Sequence, residues 1–354
     1  PSVIGAVLIG WGTAQDPLRT ERLRQMDIFG MLTGCGGMAR IVLTLTQGER
    51  LDWLSSPLIS AMLLASAALL VTFFINEWYH PLPLFKLQML QRKNLAHGLL
   101  VLAGVLMVSL SGSALPSAYF AQIDGFRTAQ FAPLALTIGL PQLIIAPLVA
   151  TLLNLRQVDC RWVLTAGAGL MIASCLLGTQ LTDEWARQNF WLIQALQAFG
   201  QPMLILPVLM SATSVVMPPE GPFASAMFNT VRGFSSVAAG SLVENFLTHR
   251  EKFHSHVLVD NLGNRPWLIT ANSSDAASSL QPLLPDGSAS SAENLSHFST
   301  LVKHQATILS ISDTYLLIIG FALLLVLLTA WLPKRVWPPQ TLINSASPTT
   351  RTTS

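Results

Sequence analysis

The chain has 354 residues, of which 51% are hydrophobic and only 11% are charged, and its mean hydropathy is +0.51. Soluble globular domains carry about 25% charged residues, so this composition argues against a soluble enzyme. The 20 Lys and Arg and the 18 Asp and Glu residues gather in short clusters. Between these clusters lie apolar stretches of about 20 residues, the length that crosses a bilayer as a helix. We therefore predict an all-α polytopic membrane helix bundle that contacts the lipid bilayer.

The apolar stretches predict eight complete spans. Before them, residues 1–12 are predicted to form the end of a membrane helix whose beginning is missing. Residues 13–27 are predicted to form a polar cytoplasmic linker. Two spans then lie within 28–76, followed by a cytoplasmic segment at 77–94 and a six-helix bundle over 95–332. The predicted spans are 28–46, 56–76, 95–119, 131–153, 162–181, 190–216, 223–247 and 311–332.

Lys and Arg residues indicate which side of the membrane each connection occupies, because cytoplasmic loops are enriched in them. Ten of these residues fall in one set of alternate connections, against three in the short loops of the other set. This asymmetry places the segment 77–94 and the tail 333–354 in the cytoplasm and the long connection 248–310 outside it. The long connection is rich in Ser, Asn and Ala, and its first residues, 248–256, are able to continue the preceding helix into water.

The sequence contains no phosphate-binding glycine loop, no HExxH and no GxSxG pattern. The three cysteines form no CxxC pair, and His249, His254 and His256 lack the Cys or carboxylate partners of a metal site. The basic residues lie at span ends rather than in a stripe, so nucleic acid is not a predicted partner. An enzyme is the weaker interpretation, and we predict neither a cofactor nor a bound metal.

Polar and charged residues inside the predicted spans are the first candidates for function, because they are energetically expensive in a membrane. Arg232 lies in the middle of a span, and Asn229 lies one helical turn earlier on the same face. Two interpretations of Arg232 stand: it belongs to a substrate or proton pathway, or it clamps carbonyl oxygens of neighbouring helices. Arg40 and Glu244 are further candidates for the pathway, although Arg40 is expected to extend toward the outer interface and Glu244 toward the exterior loop.

Three glutamines, Gln194, Gln197 and Gln201, recur at spacings of three and four and share one helix face. They predict either hydrogen bonds between helices or polar groups along a substrate path. Small residues at similar spacing predict close helix packing on two spans, at Gly30, Gly34 and Gly37 and at Ala166, Gly169 and Ala173.

Short motifs occur in a fixed order along almost the whole chain. They are PSVIG (1–5), LDWLSS (51–56), PLFKL (83–87), RKNL (92–95), LRQVDCRW (155–162), MPPEGPFASA (217–226) and FNTVRG (228–233). In this order and at these spacings they resemble the latter part of the fourteen-helix drug:proton antiporters of the major facilitator superfamily, the Emr/QacA-like multidrug exporters. Arg40 departs from the family pattern, which typically has a neutral amide at that position.

The resemblance implies a major facilitator fold in which 28–76 form two extra central helices and 95–332 form the C-terminal bundle. It implies export of small hydrophobic or amphipathic compounds in exchange for protons, with Asn229 and Arg232 taking part in the transport cycle. The long exterior loop resembles that of the Emr-type branch, which implies a Gram-negative inner membrane, a periplasmic adaptor protein and an outer-membrane channel. The resemblance does not identify, in this chain, the carboxylates that couple transport to protons in the family.

Two alternatives stay open at the level of sequence. The chain is an inactive half or a membrane binding partner of an efflux system, because alternating access requires two opposed bundles. Import, or export of a metabolite, is a further possibility within the transporter class.

Overall fold

The computed structural model describes residues 10–12, 27–155, 157–263 and 288–331. Within these ranges the chain is all-α and contains eight long helices. They are α1 (Ile28–Gln47), α2 (Pro57–Tyr79), α3 (Lys93–Gln122), α4 (Thr128–Asn154), α5 (Cys160–Gly178), α6 (Phe190–Thr213), α7 (Gly221–Gly263) and α8 (Ser288–Ala330).

The prediction of an all-α polytopic membrane bundle is confirmed for this part of the chain. Seven of the helices, α1 to α6 and α8, are long and apolar enough to cross a membrane. The eighth predicted span lies in α7, which is not among these seven. Asn229, Arg232 and Glu244 lower the hydropathy of its first half, which nevertheless packs against α1, α3 and α8.

Local sequence explains several helix ends. Asp27 caps α1 by accepting a hydrogen bond from the backbone N–H of Gly30, at 2.8 Å. Pro57 occupies the first turn of α2, where its missing N–H leaves no carbonyl unpaired. Asp159 caps α5 through the backbone N–H of Arg161, at 3.1 Å. Polar groups at the helix ends thus satisfy backbone donors that the apolar interiors cannot.

The main core joins α3, α5, α6 and α8. Tyr119, Phe120 and Phe190 pack together at one end of it, and Tyr315 of α8 lies against α5. The helices α5 and α6 approach closely at Gly167 and Gly200. This approach differs from the predicted stripe, because Ala166 is exposed and nothing lies within 4 Å of the Cβ position of Gly169.

Helices α1 and α2 form a hairpin beside this bundle. A Cβ atom at Gly34 would lie 2.8 Å from the ring of Phe73, and one at Gly37 would lie 2.9 Å from Leu70. The predicted close packing of α1 is therefore confirmed at these two glycines. The hairpin contacts the bundle through α7, where the Ser241 hydroxyl donates to the carbonyl of Leu45.

Side-chain contacts sort the connections into two groups at opposite ends of the bundle. At one end, Lys252 Nζ of α7 lies 3.6 Å from Glu49 Oε1 in the α1–α2 connection, and the Arg187 guanidinium lies 5.0 Å from the Phe126 ring centroid. At the other end, the segment between α2 and α3 contacts the turn between α6 and α7 through Lys86 and Glu220. Which of the two ends faces the cytoplasm stays a prediction from the distribution of Lys and Arg.

The predicted long connection over 248–310 is helical at both ends. Helix α7 continues to Gly263, as the polar residues 248–256 allow, and α8 begins at Ser288. A run of polar residues is compatible with a water-exposed helix, so polarity alone did not mark a loop. Of the predicted terminal segments, 10–12 are helical, whereas 1–9, the linker residues 13–26 and the tail 333–354 lie outside the described residues.

Candidate functional site

A partly open cavity of about 580 Å³ lies between α3, α6 and α7. Its wall is mainly apolar, and four polar side chains interrupt it, Thr213 of α6 and Ser225, Asn229 and Arg232 of α7. The apolar part includes side chains from all three helices: Leu102, Ile205, Val208, Leu209, Val216 and Phe228. Such a wall buries hydrophobic surface of a bound molecule and offers a few hydrogen-bonding groups for its orientation.

Arg232 is exposed, and within the described part of the chain no carboxylate pairs with its guanidinium. Asn229, three residues earlier, lies on the same helix face and donates to the carbonyl of Ser225, at 3.0 Å. The structure therefore brings these two predicted site residues together on the cavity wall. An unpaired guanidinium keeps its donors available for a ligand or for a second protein surface.

The three predicted glutamines lie elsewhere, inside the contact between α3, α5 and α6. Gln194 and Gln197 are only 1% and 0% exposed. Gln194 donates to the carbonyl of Gly112, at 3.0 Å, and Gln197 donates to the hydroxyls of Ser111 and Ser174, at 2.7 and 3.0 Å. Their contacts are hydrogen bonds between helices.

Gln201 extends this network toward α4. Its amide nitrogen donates to Gln197 Oε1, at 3.3 Å, and its amide oxygen accepts from Gln142, at 2.8 Å. Gln201 and Gln142 are half-buried. The amides thus run from the bundle interior toward the outer face of α4, and none of them lines the cavity that contains Arg232.

Arg40 and Glu244 are not part of the cavity either. Arg40 is exposed on α1 and donates to the carbonyl of Gly36 in the preceding turn, at 3.1 Å. Glu244 is exposed on α7, twelve residues beyond Arg232, which is about 18 Å along a helix. The structure thus separates the seven predicted residues into a cavity pair, a buried glutamine group and two isolated charges.

One ion-pair cluster was not predicted as a site. Glu220, in the turn before α7, accepts from Lys86 at 3.0 Å and from both terminal nitrogens of Arg92 at 2.6 and 3.0 Å. Burial raises the pKa of Glu220, but the hydrogen bonds from Arg92 and Lys86 outweigh it and hold the pKa below its usual value. The turn borders the cavity, because Met217 and Gly221 line it. Lys86, Arg92 and Glu220 all lie in the short motifs that resemble the exporter family. Because Glu220 is more than 120 residues away from the other two, the sequence did not predict their contact.

A second unpredicted cluster joins α7 to α8 at the opposite end. Asp313 accepts from Arg250 Nε at 2.7 Å and lies 2.7 Å from His254 Nε2. The Arg250 guanidinium also lies 4.9 Å from the Phe253 ring centroid. His254 therefore has a carboxylate partner, and the described residues contain no group of three potential metal ligands.

Comparison with known proteins finds similarity to an MFS-type transporter and to a drug-resistance protein. The chain is 21% identical over 259 residues to an uncharacterized MFS-type transporter, YhcA, of Bacillus subtilis (strain 168), a match that covers 73% of this chain and 48% of that protein. It is 25% identical over 235 residues to the puromycin resistance protein pur8 of Streptomyces alboniger, which covers 65% of this chain and 46% of that protein. No family model matches the chain.

These similarities support a membrane transporter of the major facilitator superfamily. The chain spans about half the length of the curated relatives it matches. Together with seven membrane-length helices, the relationship identifies a multi-pass membrane protein. The similarity to transporters also favours a protein that is not an enzyme.

Proposed function

We propose that this chain is the C-terminal part of a proton-coupled exporter of hydrophobic and amphipathic compounds. The observation that carries the proposal is the apolar cavity between α3, α6 and α7 with Asn229 and Arg232 on its wall. A greasy compound gains free energy by burying its surface there, while the amide and the guanidinium orient its polar group. The puromycin resistance of one relative supports a drug as the transported compound.

Alternating access provides the transport mechanism in this proposal. Two helix bundles rock against each other around a central site, so that the site opens to one side of the membrane at a time. The open side of the cavity then faces a second bundle, and Arg232 lies at the boundary between them. The Lys86–Arg92–Glu220 cluster holds the segment before α3 against the turn before α7, so that both move as one unit with the cavity wall.

The proposed location is the inner membrane of a Gram-negative bacterium, with the end that contains Lys86 and Glu220 in the cytoplasm. The distal parts of α7 and α8 then extend into the periplasm. Phe253, Val257 and Val259 are exposed on this extension of α7. Exposed apolar side chains of this kind form contacts with partner proteins, so we propose this extension as the docking element for a periplasmic adaptor and, through it, an outer-membrane channel.

An efflux assay tests the function. The chain, and the longer coding region that contains it, are expressed in cells that lack their main drug exporters. Retention of puromycin and of a fluorescent hydrophobic dye is then measured before and after an uncoupler is added. Lower retention that the uncoupler abolishes supports the proposal, and unchanged retention in cells with confirmed membrane insertion of both proteins overturns it.

A second candidate function is a transport-inactive half or membrane binding partner of an efflux system. The exposed cavity wall favours it, because the same surface that would complete a transport site would also bind another membrane protein. Efflux by the longer protein without efflux by the isolated chain, together with co-purification of the chain with a second transporter subunit, would favour this candidate.

A further inference from the structure

Glu77 is a fully buried carboxyl group near the end of α2, with 0% exposure. One of its oxygens, Oε2, accepts from the backbone N–H of Phe85, at 2.8 Å. The other oxygen, Oε1, is buried and has no hydrogen-bond partner in the described part of the chain. No Lys or Arg among the described residues forms an ion pair with this carboxyl group.

A second carboxyl group, that of Asp27, acts on Glu77 from the start of α1. Asp27 is 5% exposed, and both of its oxygens accept hydrogen bonds, from the Gly30 N–H and from the Asn76 side chain. The other titratable group that acts on Glu77 is His80, just beyond the end of α2.

A buried carboxylate without a cation is strongly destabilised, and the group then becomes neutral by binding a proton. A neighbouring carboxylate acts in the same direction, because two like charges in one buried site are unfavourable. Both oxygens of Asp27 accept hydrogen bonds. Among the described residues Glu77 Oε1 has no donor, although the backbone N–H groups of Phe85 and Leu84 both favour the carboxylate form of Glu77. Glu77 Oε1, buried and without a donor among the described residues, is therefore the oxygen at which a proton would be held.

We propose that Glu77 is a proton-binding site of the transport cycle. The carboxyl group releases its proton to water as the carboxylate and takes it up again, and no other reactant is needed. The site lies at the same end of the bundle as Lys86 and Glu220, and the proposed orientation places this end in the cytoplasm. A proton that moves inward through the transporter would be released there. The inference rests on proton-coupled export as the proposed function.

The contact with Phe85 links the protonation state of Glu77 to the position of residues that line the cavity. A carboxylate accepts a stronger hydrogen bond from the Phe85 N–H than a neutral carboxyl does. The next residue, Lys86, pairs with Glu220, and the turn that contains Glu220 is joined to the cavity lining at Met217 and Gly221. Loss of the proton would therefore hold the segment at Phe85 more tightly against α2 and bias the position of this turn.

Infrared difference spectroscopy of the purified full-length chain in lipid tests proton binding without any transport. The protein is titrated from acid to alkaline pH, and the C=O stretching band of protonated carboxyl groups is followed. Because every carboxyl group contributes to this band, the two proteins are compared at each pH. We expect one component that is lost on alkalinisation in the wild-type protein to be missing from Glu77→Gln, which retains an oxygen for the Phe85 N–H. If the same component persists in Glu77→Gln, Glu77 does not bind the proton. The same titration of Asp27→Asn shows whether the Asp27 carboxyl group contributes to this band.

Transport measurements in vesicles test the coupling role. The longer protein is reconstituted, and accumulation of puromycin is compared with and without an imposed pH gradient. We expect Glu77→Gln to accumulate no more with the gradient than without it, while drug binding is kept. Asp52→Asn is the matched control, because it removes an exposed carboxylate at the opposite end of the same hairpin, at a positive φ that Asn tolerates.

The two failures are distinguishable. A wild-type protein that accumulates nothing under any gradient overturns the proposed export function. A wild-type protein driven by the pH gradient, together with a Glu77→Gln variant that responds equally, overturns only the role of Glu77. Accumulation that follows a sodium gradient instead of a pH gradient would also overturn it, because the ligand would then be a metal cation.

Discussion

Arg92 and Glu220 form a two-point ion pair between residues 128 positions apart. The Arg92 Nη1 and Nη2 atoms lie 2.6 and 3.0 Å from the two carboxylate oxygens, and Nη1 also donates to the carbonyl of Val215, at 2.7 Å. The planar guanidinium matches a carboxylate in this way, whereas an ammonium group makes a single point contact. Arg92 therefore fixes the turn between α6 and α7 relative to the start of α3.

Replacing Arg92 by Gln is expected to destabilise the folded protein. Glu220 keeps Lys86 but loses two charge-assisted hydrogen bonds at a largely buried carboxylate, a loss of about 1.5–3 kcal/mol. Thermal unfolding in detergent measures the effect. Lys93→Gln is the control, because Lys93 is exposed and adjacent in sequence. Equal melting temperatures for the two variants would contradict a stabilising role of the pair.

The Glu220 ion pair also predicts a pH dependence of stability. Because the folded state holds the pKa of Glu220 below its ordinary value of 4.5, its contribution is fully present above that pH. The contribution is lost as the pH falls through the lowered pKa of the folded state. We expect the melting temperature of the wild-type protein to fall more steeply than that of Glu220→Gln below about pH 4.5. Parallel curves for the two proteins would show that Glu220 makes no such contribution.

Replacing Arg232 by Ala is expected to abolish most of the export while leaving the amount of membrane protein unchanged. The side chain is exposed on the cavity wall, so its removal breaks no ion pair among the described residues. Dye efflux and quantitative immunoblotting of membranes measure the two quantities. Arg50→Ala, at an exposed position in the α1–α2 connection, is the control. Unchanged efflux in Arg232→Ala would remove Arg232 from the proposed site.

Replacing Gln197 by Leu is expected to lower stability by about 1–2 kcal/mol. The substitution removes donors to Ser111 and Ser174 and the acceptor of Gln201, all inside the contact of α3, α5 and α6. The midpoint of thermal unfolding in detergent reports the loss. Gln180→Leu, at an exposed position in the turn after α5, should shift the midpoint much less. A large loss of efflux at unchanged stability would instead indicate that Gln197 acts on the substrate path.

The close contact of α5 and α6 provides a test with two neighbouring glycines. A Cβ atom at Gly167 would lie 2.8 Å from Met203 Cβ and 3.1 Å from the carbonyl oxygen of Gly200. Gly167→Ala is therefore expected to push the helices apart and to destabilise the protein by about 1–3 kcal/mol. Gly169→Ala meets nothing within 4 Å and should be neutral or slightly stabilising. The comparison of their unfolding midpoints decides whether this packing is as tight as the structure indicates.

The sequence by itself determined the class of the protein and most of its helices. Apolar runs of about 20 residues report directly on bilayer crossing, so six predicted spans coincide closely with α1 to α6. Polarity was a poorer guide beyond α6. It did not predict the helical ends of the connection 248–310 beyond residue 256. The span predicted at 223–247 lies in α7, which is not among the seven helices apolar enough to cross a membrane.

Only the tertiary structure decided which polar residues belong together. Gln197 and Arg232 are both polar residues in apolar stretches, yet one is buried between helices and the other is exposed on the cavity wall. Helical periodicity places residues on a face but does not say which neighbour that face meets. For the same reason, the contacts of Arg92 with Glu220 and the burial of Glu77 were invisible in the sequence, because they depend on the packing of segments that are far apart along the chain.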